Sequence, residues 1–243
     1  MEGDSIDRPR PRPAAEAAAG YRLVRQRIDT LLRGRAEIAE LVVPACPDWT
    51  VRQTVSHLCG VAQDLVGGNI QGAGTEPWTQ AQVLRLAERG LDDLLDLWAE
   101  KTDEVTALLP QGSDLAANQL VFDTLTHEHD LRGALGEPAS RTEDPVLPMA
   151  LGFLLTAYDR TIRASALPAV SLRTEVGSWQ LGDPAVAPAQ LALQLSGFEA
   201  LRTLGGRRSV PQILALPWQG DATALLAMFM GTVLRPPELD LVE

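Results

Sequence analysis

The chain has 243 residues, with 21 Lys and Arg against 32 Asp and Glu and a formal net charge of −11. An acidic surface repels phosphate backbones, which argues against nucleic-acid binding. A hydrophobic content of 45% is enough for a sizeable core and excludes a disordered chain. Two cysteines cannot build a disulfide framework. No run approaches the ~18 consecutive apolar residues of a membrane span, and no targeting segment is visible. The expectation is a soluble, cytoplasmic protein with no membrane partner, a monomer or a homodimer.

Residues 1–13 alternate Arg8, Arg10 and Arg12 with Pro9, Pro11 and Pro13, which blocks helix and predicts a disordered tail. Residues 14–41 read as a helix, with Tyr21, Val24, Ile28, Leu31 and Leu32 on one stripe. Pro44 and Pro47 close it. Thr50 and Gln53 have capping-box spacing and start a second helix, whose face is Val51, Val55, Leu58, Ala62 and Leu65. Gly67 and Gly68 end it. Residues 79–109 read as one long third helix, residues 113–135 as a fourth and residues 145–166 as a fifth.

After Pro168 the period changes. Residues 170–175 alternate apolar and polar as a half-buried strand does, Gly177 turns the chain into residues 178–181, and residues 191–195 make a third short strand. Three short helices follow at residues 198–204, 209–216 and 222–230. A helical bundle over residues 14–167 and a small mixed domain over residues 168–243 are therefore expected, an α+β protein.

Three histidines occur, His57, His127 and His129. Asp123 and His127 are one helical turn apart and share a face, with Asp130 further along the same stripe. His57 lies at the edge of the second helix's apolar face. If the second and fourth helices are neighbours, His57, Asp123 and His127 form the two-imidazole, one-carboxylate set of an open zinc site. The competing reading is a helix-surface Asp–His pair and a core histidine. Cys46 and Cys59 read as small apolar filler, and His129 as a surface residue. No Cys-x-x-Cys pair, nucleophile elbow or phosphate loop occurs. Arg207 and Arg208 follow Gly205–Gly206 at a helix start, a place that suits a carboxylate or phosphate, or a helix cap with solvated arginines.

Three segments carry a resemblance. Residues 46–58 (CPDWTVRQTVSHL), residues 123–136 (DTLTHEHDLRGALG) and residues 198–209 (FEALRTLGGRRS), the last followed by residues 216–221 (LPWQGD), stand in the order found in mycothiol-dependent maleylpyruvate isomerase-like proteins. These are actinobacterial relatives of the DinB-like metal-binding bundles. The resemblance implies a DinB-like up-down helical bundle followed by a small C-terminal mixed α/β domain. It implies a divalent metal, usually zinc, on His57, Asp123 and His127, with mycothiol as thiol co-substrate. The isomerase has Glu where this chain has Asp123, shorter by one methylene. The resemblance further implies that Arg207, or Arg208, holds the substrate and thiol, and it gives Asp130 the part of orienting a ligand. The expected function is a zinc-dependent, mycothiol-using isomerase or thiol transferase acting on a small electrophilic, carboxylate-bearing substrate. The alternative is a non-catalytic metal-binding scaffold, sensor or partner-binding module.

Overall fold

The computed structural model describes residues 7–186, 190–232 and 234–243. The chain divides into two compact units. One is helical and spans Pro13–Ala139, with Glu243. The other contains Ser140–Val242 and the first twelve residues. The boundary expected at residue 167 is thus displaced, because the fifth predicted helix sorts with the sheet.

In the helical unit, α1 spans Ala14–Leu32 and buries Tyr21, Val24, Ile28, Leu31 and Leu32. It ends nine residues before the predicted bound. Arg33 leaves the helix with an extended ψ, and Gly34 sits at φ +73°, the left-handed region that a side chain disfavours. A short hairpin then replaces the expected helix end: β1 (Val42–Val43) pairs antiparallel with β2 (Cys46–Thr50). The capping box is present as predicted. Thr50 caps α2 (Val51–Gly67), its hydroxyl accepting from the Gln53 amide while the Gln53 side chain accepts from the Thr50 amide.

The predicted long third helix is two helices. α3 (Glu76–Arg85) and α4 (Leu91–Leu108) are separated by a break that ends at Gly90, the N-cap of α4. Both carry the helical period, so periodicity alone runs across the break. α5 (Asp114–Leu135) is capped by Ser113 and stopped by Gly136, as read from the sequence. α5 packs along α1, and α2 packs along α4 and α3. Trp98 of α4 donates to the Tyr21 hydroxyl at 2.7 Å, so the largest buried ring of the unit spends its one N–H inside the core.

α5 is buried for most of its length although polar residues crowd it. Glu128 shows why. Its fully buried carboxylate takes Arg27 of α1 at 2.5 and 2.9 Å and Arg132 at 2.9 Å. A buried acid needs such partners, and the pair locks α1 to α5. His129, expected on the surface, is also buried.

In the second unit, α6 (Leu147–Ala164) packs on β4 (Gly177–Leu181) and on α7 (Gly197–Leu204). The sheet order is β4, β3 (Ala169–Thr174), β5 (Gln190–Gln194); β3 pairs antiparallel with β4 and parallel with β5. α8 (Val210–Leu214), a 3-10 turn (Ala222–Leu225) and α9 (Leu226–Met230) complete the unit. The predicted disordered tail is corrected in part. Residues 1–6 lie outside the described residues, but Asp7 bridges the sheet beside Trp179, and Arg8 reaches the buried Asp159 at 3.2 Å. Asp159 also accepts from the Gly182 amide and from Arg163, which gives the extended N-terminal segment an anchor on α6. Among the described residues, no helix is long and apolar enough to cross a membrane.

Burial pushes the Cys59 thiol of α2 up to about 12, and it pushes the Tyr158 phenol of α6 up to about 12. Both groups stay protonated in the folded chain while the unfolded chain begins to lose these protons near pH 9 and pH 10. Between those values and pH 12 the unfolded state therefore binds fewer protons, and stability falls as pH rises. Each group is expected to remove roughly 1.4 kcal/mol per pH unit in its window. Urea midpoints followed by circular dichroism should hold steady from pH 7 to 9 and decline from pH 9 to 11; a flat profile would contradict the burial of both groups.

Candidate metal centre

Three elements of the helical unit meet at one point. α2 brings His57, α5 brings Asp123 and His127, and β2 brings Trp49. His57 Nε2 lies 3.5 Å from Asp123 Oδ2, and His127 Nε2 lies 3.8 Å from Asp123 Oδ1. One ligand atom of each residue falls within 4.8 Å of the others. The two imidazoles are edge to face, with centroids 5.3 Å apart. The Trp49 indole stands 5.0 Å from the His57 ring and 5.9 Å from the His127 ring, an apolar wall beside both. Both histidines are buried, whereas the Asp123 side chain keeps 30% of its surface exposed, so the centre is reached from the carboxylate side.

The tautomer of His57 follows from what its other nitrogen faces. His57 Nδ1 is 2.8 Å from Gln82 Oε1. The Gln82 amide cannot be flipped without loss, because its NH₂ donates at 2.8 Å to Asp64 Oδ2. Asp64 is an acceptor, held in turn by Arg85 at 3.0 Å and Asn69 at 3.1 Å. Gln82 therefore offers an oxygen, His57 carries its proton on Nδ1, and Nε2 is left as a lone pair. His127 Nδ1 lies 3.0 Å from Asp130 Oδ2. This is a close charge contact and not an aligned hydrogen bond, since His127 Nδ1 makes none among the described residues. The His57 lone pair faces Asp123, and His127 Nε2 stands beside the same carboxylate. Two imidazole nitrogens and an anionic carboxylate suit a single divalent cation, and His57 has the outer hydrogen-bond partner that such ligands use.

The sequence-predicted residues separate into two groups. His57, Asp123 and His127 come together, and Asp130 stands behind His127. Arg207 and Arg208 belong to the second unit. There Arg208 is buried and its guanidinium is bound along one edge by Glu199, at 2.6 and 2.9 Å, an ion pair within the unit instead of an open anion site. Arg207 remains partly exposed and donates to the Gly205 carbonyl at 3.0 Å. Gln82 was missed in the sequence because α3 was merged into a longer helix. Cys46, which reads as filler in the sequence, meets Asp130 Oδ2 with its thiol at 3.6 Å.

The fold and this donor cluster define a helical-bundle protein with a buried two-histidine, one-carboxylate centre. Residues 21–137, most of the helical unit, match the family model of the mycothiol maleylpyruvate isomerase N-terminal domain. Solved structures share the fold. One is of the mycothiol-dependent maleylpyruvate isomerase (TM-score 0.55) and another is of a histidine-to-alanine mutant of it (TM-score 0.54). Each is 16% identical and covers 81% of this chain and 90% of its own. No curated protein matches the chain in sequence.

Gly60 decides how closely α3 approaches α2. A Cβ there would sit 2.5 Å from Gln82 Cβ. Gly60→Ala is expected to push Gln82 off His57 and to destabilise the protein by roughly 1–3 kcal/mol, despite the better helix propensity of Ala. Urea unfolding measures this, and a stabilised variant would show that α3 is free to move.

Proposed function

We propose that His57, Asp123 and His127 hold one divalent cation, zinc, and that the chain is a mycothiol-dependent isomerase of small carboxylate-bearing cis-alkenes such as maleylpyruvate. The observation that carries the proposal is the meeting of two imidazole nitrogens and one carboxylate within 4.8 Å, with Gln82 Oε1 behind His57 to keep its Nε2 lone pair on that side. The family of the helical unit supports the thiol and the reaction class.

When bound, the cation's contribution is to lower the pKa of a thiol or water that it binds, which makes thiolate available near neutral pH. The chain's residues supply the rest. Gln82 keeps the His57 proton on Nδ1, and the Asp130 carboxylate stands against His127 and limits where its ring can lie. The one negative charge of Asp123 leaves the centre net positive, which favours an anionic sulfur. Trp49 keeps water from one side of the rings. The co-substrate chemistry is an addition and elimination. The thiolate sulfur bonds to one alkene carbon while the π electrons move onto the conjugated carbonyl. The former double bond rotates as a single bond. Expulsion of the thiolate then restores the alkene in the trans form, with no net redox change. Arg207 is the arginine we assign to a substrate carboxylate, in keeping with the family resemblance.

Metal analysis of the purified protein is expected to give one zinc per chain. His57→Ala and His127→Ala should each lose it, together with thiol-dependent isomerisation of maleylpyruvate. Full metal content in both variants would remove the assignment. Arg207→Ala should keep its zinc and raise KM for the carboxylate substrate. Zinc bound by the parent without any mycothiol-dependent turnover would leave a metal-binding scaffold.

A further inference from the structure

We propose that Cys46 is a positioning residue for this centre, acting through Asp130 on His127; the inference rests on the metal reading above. Cys46 opens β2, and the hairpin register that pairs it with Val43 sets its half-buried thiol against α5. Its Sγ–H donates to Asp130 Oδ2 at 3.6 Å. The same oxygen stands 3.0 Å from His127 Nδ1. The Asp130 side chain has no exposed surface, and His127 has 8%. A carboxylate in such surroundings keeps its charge and orientation only through the donors around it.

A thiol donor and an imidazole nitrogen in close charge contact thus meet at one carboxylate oxygen. The thiol draws density from Oδ2 and fixes the direction from which His127 Nδ1 can approach it. That sets the ring plane of His127, and with it the direction of the Nε2 lone pair toward Asp123. The device is a carboxylate–histidine pair with a third member supplied from a strand that precedes α2. It also gives a cysteine at a strand position facing a buried acid a donor's part that an apolar residue of that size could not play. Loss of such outer partners typically weakens metal affinity on the order of 10–100-fold.

The test compares the parent with Cys46→Ala and Cys46→Ser, which removes the thiol donor and then restores an O–H donor. Zinc affinity is read by competition with a chromophoric chelator, and geometry by the visible spectrum of the cobalt-substituted protein. The melting temperature of each metal-free protein reports the purely structural part. The expected result is on the order of tenfold weaker zinc binding and an altered cobalt spectrum for Cys46→Ala, with both returning toward the parent in Cys46→Ser. Should the Ala variant fail to fold, Cys46→Val takes its place against Cys46→Ser. Equal affinities and spectra in all proteins would overturn the inference and leave the metal reading standing, as would equal weakening in Ala and Ser. Two zinc equivalents in the parent, one of them lost in Cys46→Ala, would also overturn it, in favour of a second ion on Cys46, Asp130 and His127. No zinc bound by the parent would overturn both readings.

Discussion

Two imidazole nitrogens and a carboxylate share one small volume in the helical unit, where neutral rings and an ionised acid would set lone pair against lone pair. In a low-dielectric interior such an arrangement is repulsive unless positive charge stands among them. A histidine can relieve the repulsion by placing a proton on Nε2, but Gln82 Oε1 holds the proton of neutral His57 on Nδ1, which leaves a bound cation as the other source of positive charge. The constraint is therefore set from outside the cluster. It suits the centre to the cation proposed for it, as the identity of its donors does.

Much of the unit serves that constraint. Gly60 lets α3 close on α2 until Gln82 reaches His57. Asp64, Arg85 and Asn69 then fix the Gln82 amide in one orientation. On α5, four successive residues do different work because each step turns the side chain by about 100°. His127 faces the centre, Glu128 ties α5 to Arg27 of α1, His129 turns into buried surroundings, and Asp130 returns to the back of His127. The Glu128 ion pair stops α5 from rotating or sliding, and so keeps Asp123 and His127 in phase with His57.

The sequence was most legible where local chemistry decides. Thr50 with Gln53 marked the start of α2, and Ser113 with Gly136 bracketed α5, since caps satisfy orphan backbone groups within a few residues. From those phases the shared face of Asp123 and His127 could be read. The break between α3 and α4 could not, because apolar spacing continues across it. The β1–β2 hairpin was hidden by its two prolines, which read as a stop. α6 carries a helical stripe that says nothing of which unit it covers. The N-terminal segment was taken as free because its prolines exclude a helix, yet an extended chain is what a sheet edge accepts at Asp7.

Helix phase, capping and the donor types at His57, Asp123 and His127 were thus determined by the sequence alone, since each depends on spacing along one element. Which nitrogen of His57 carries its proton, and the parts of Gln82 and Cys46, were decided only by tertiary structure. Those features depend on distances between different elements, which are set by packing and by where a residue without a side chain allows two helices to touch.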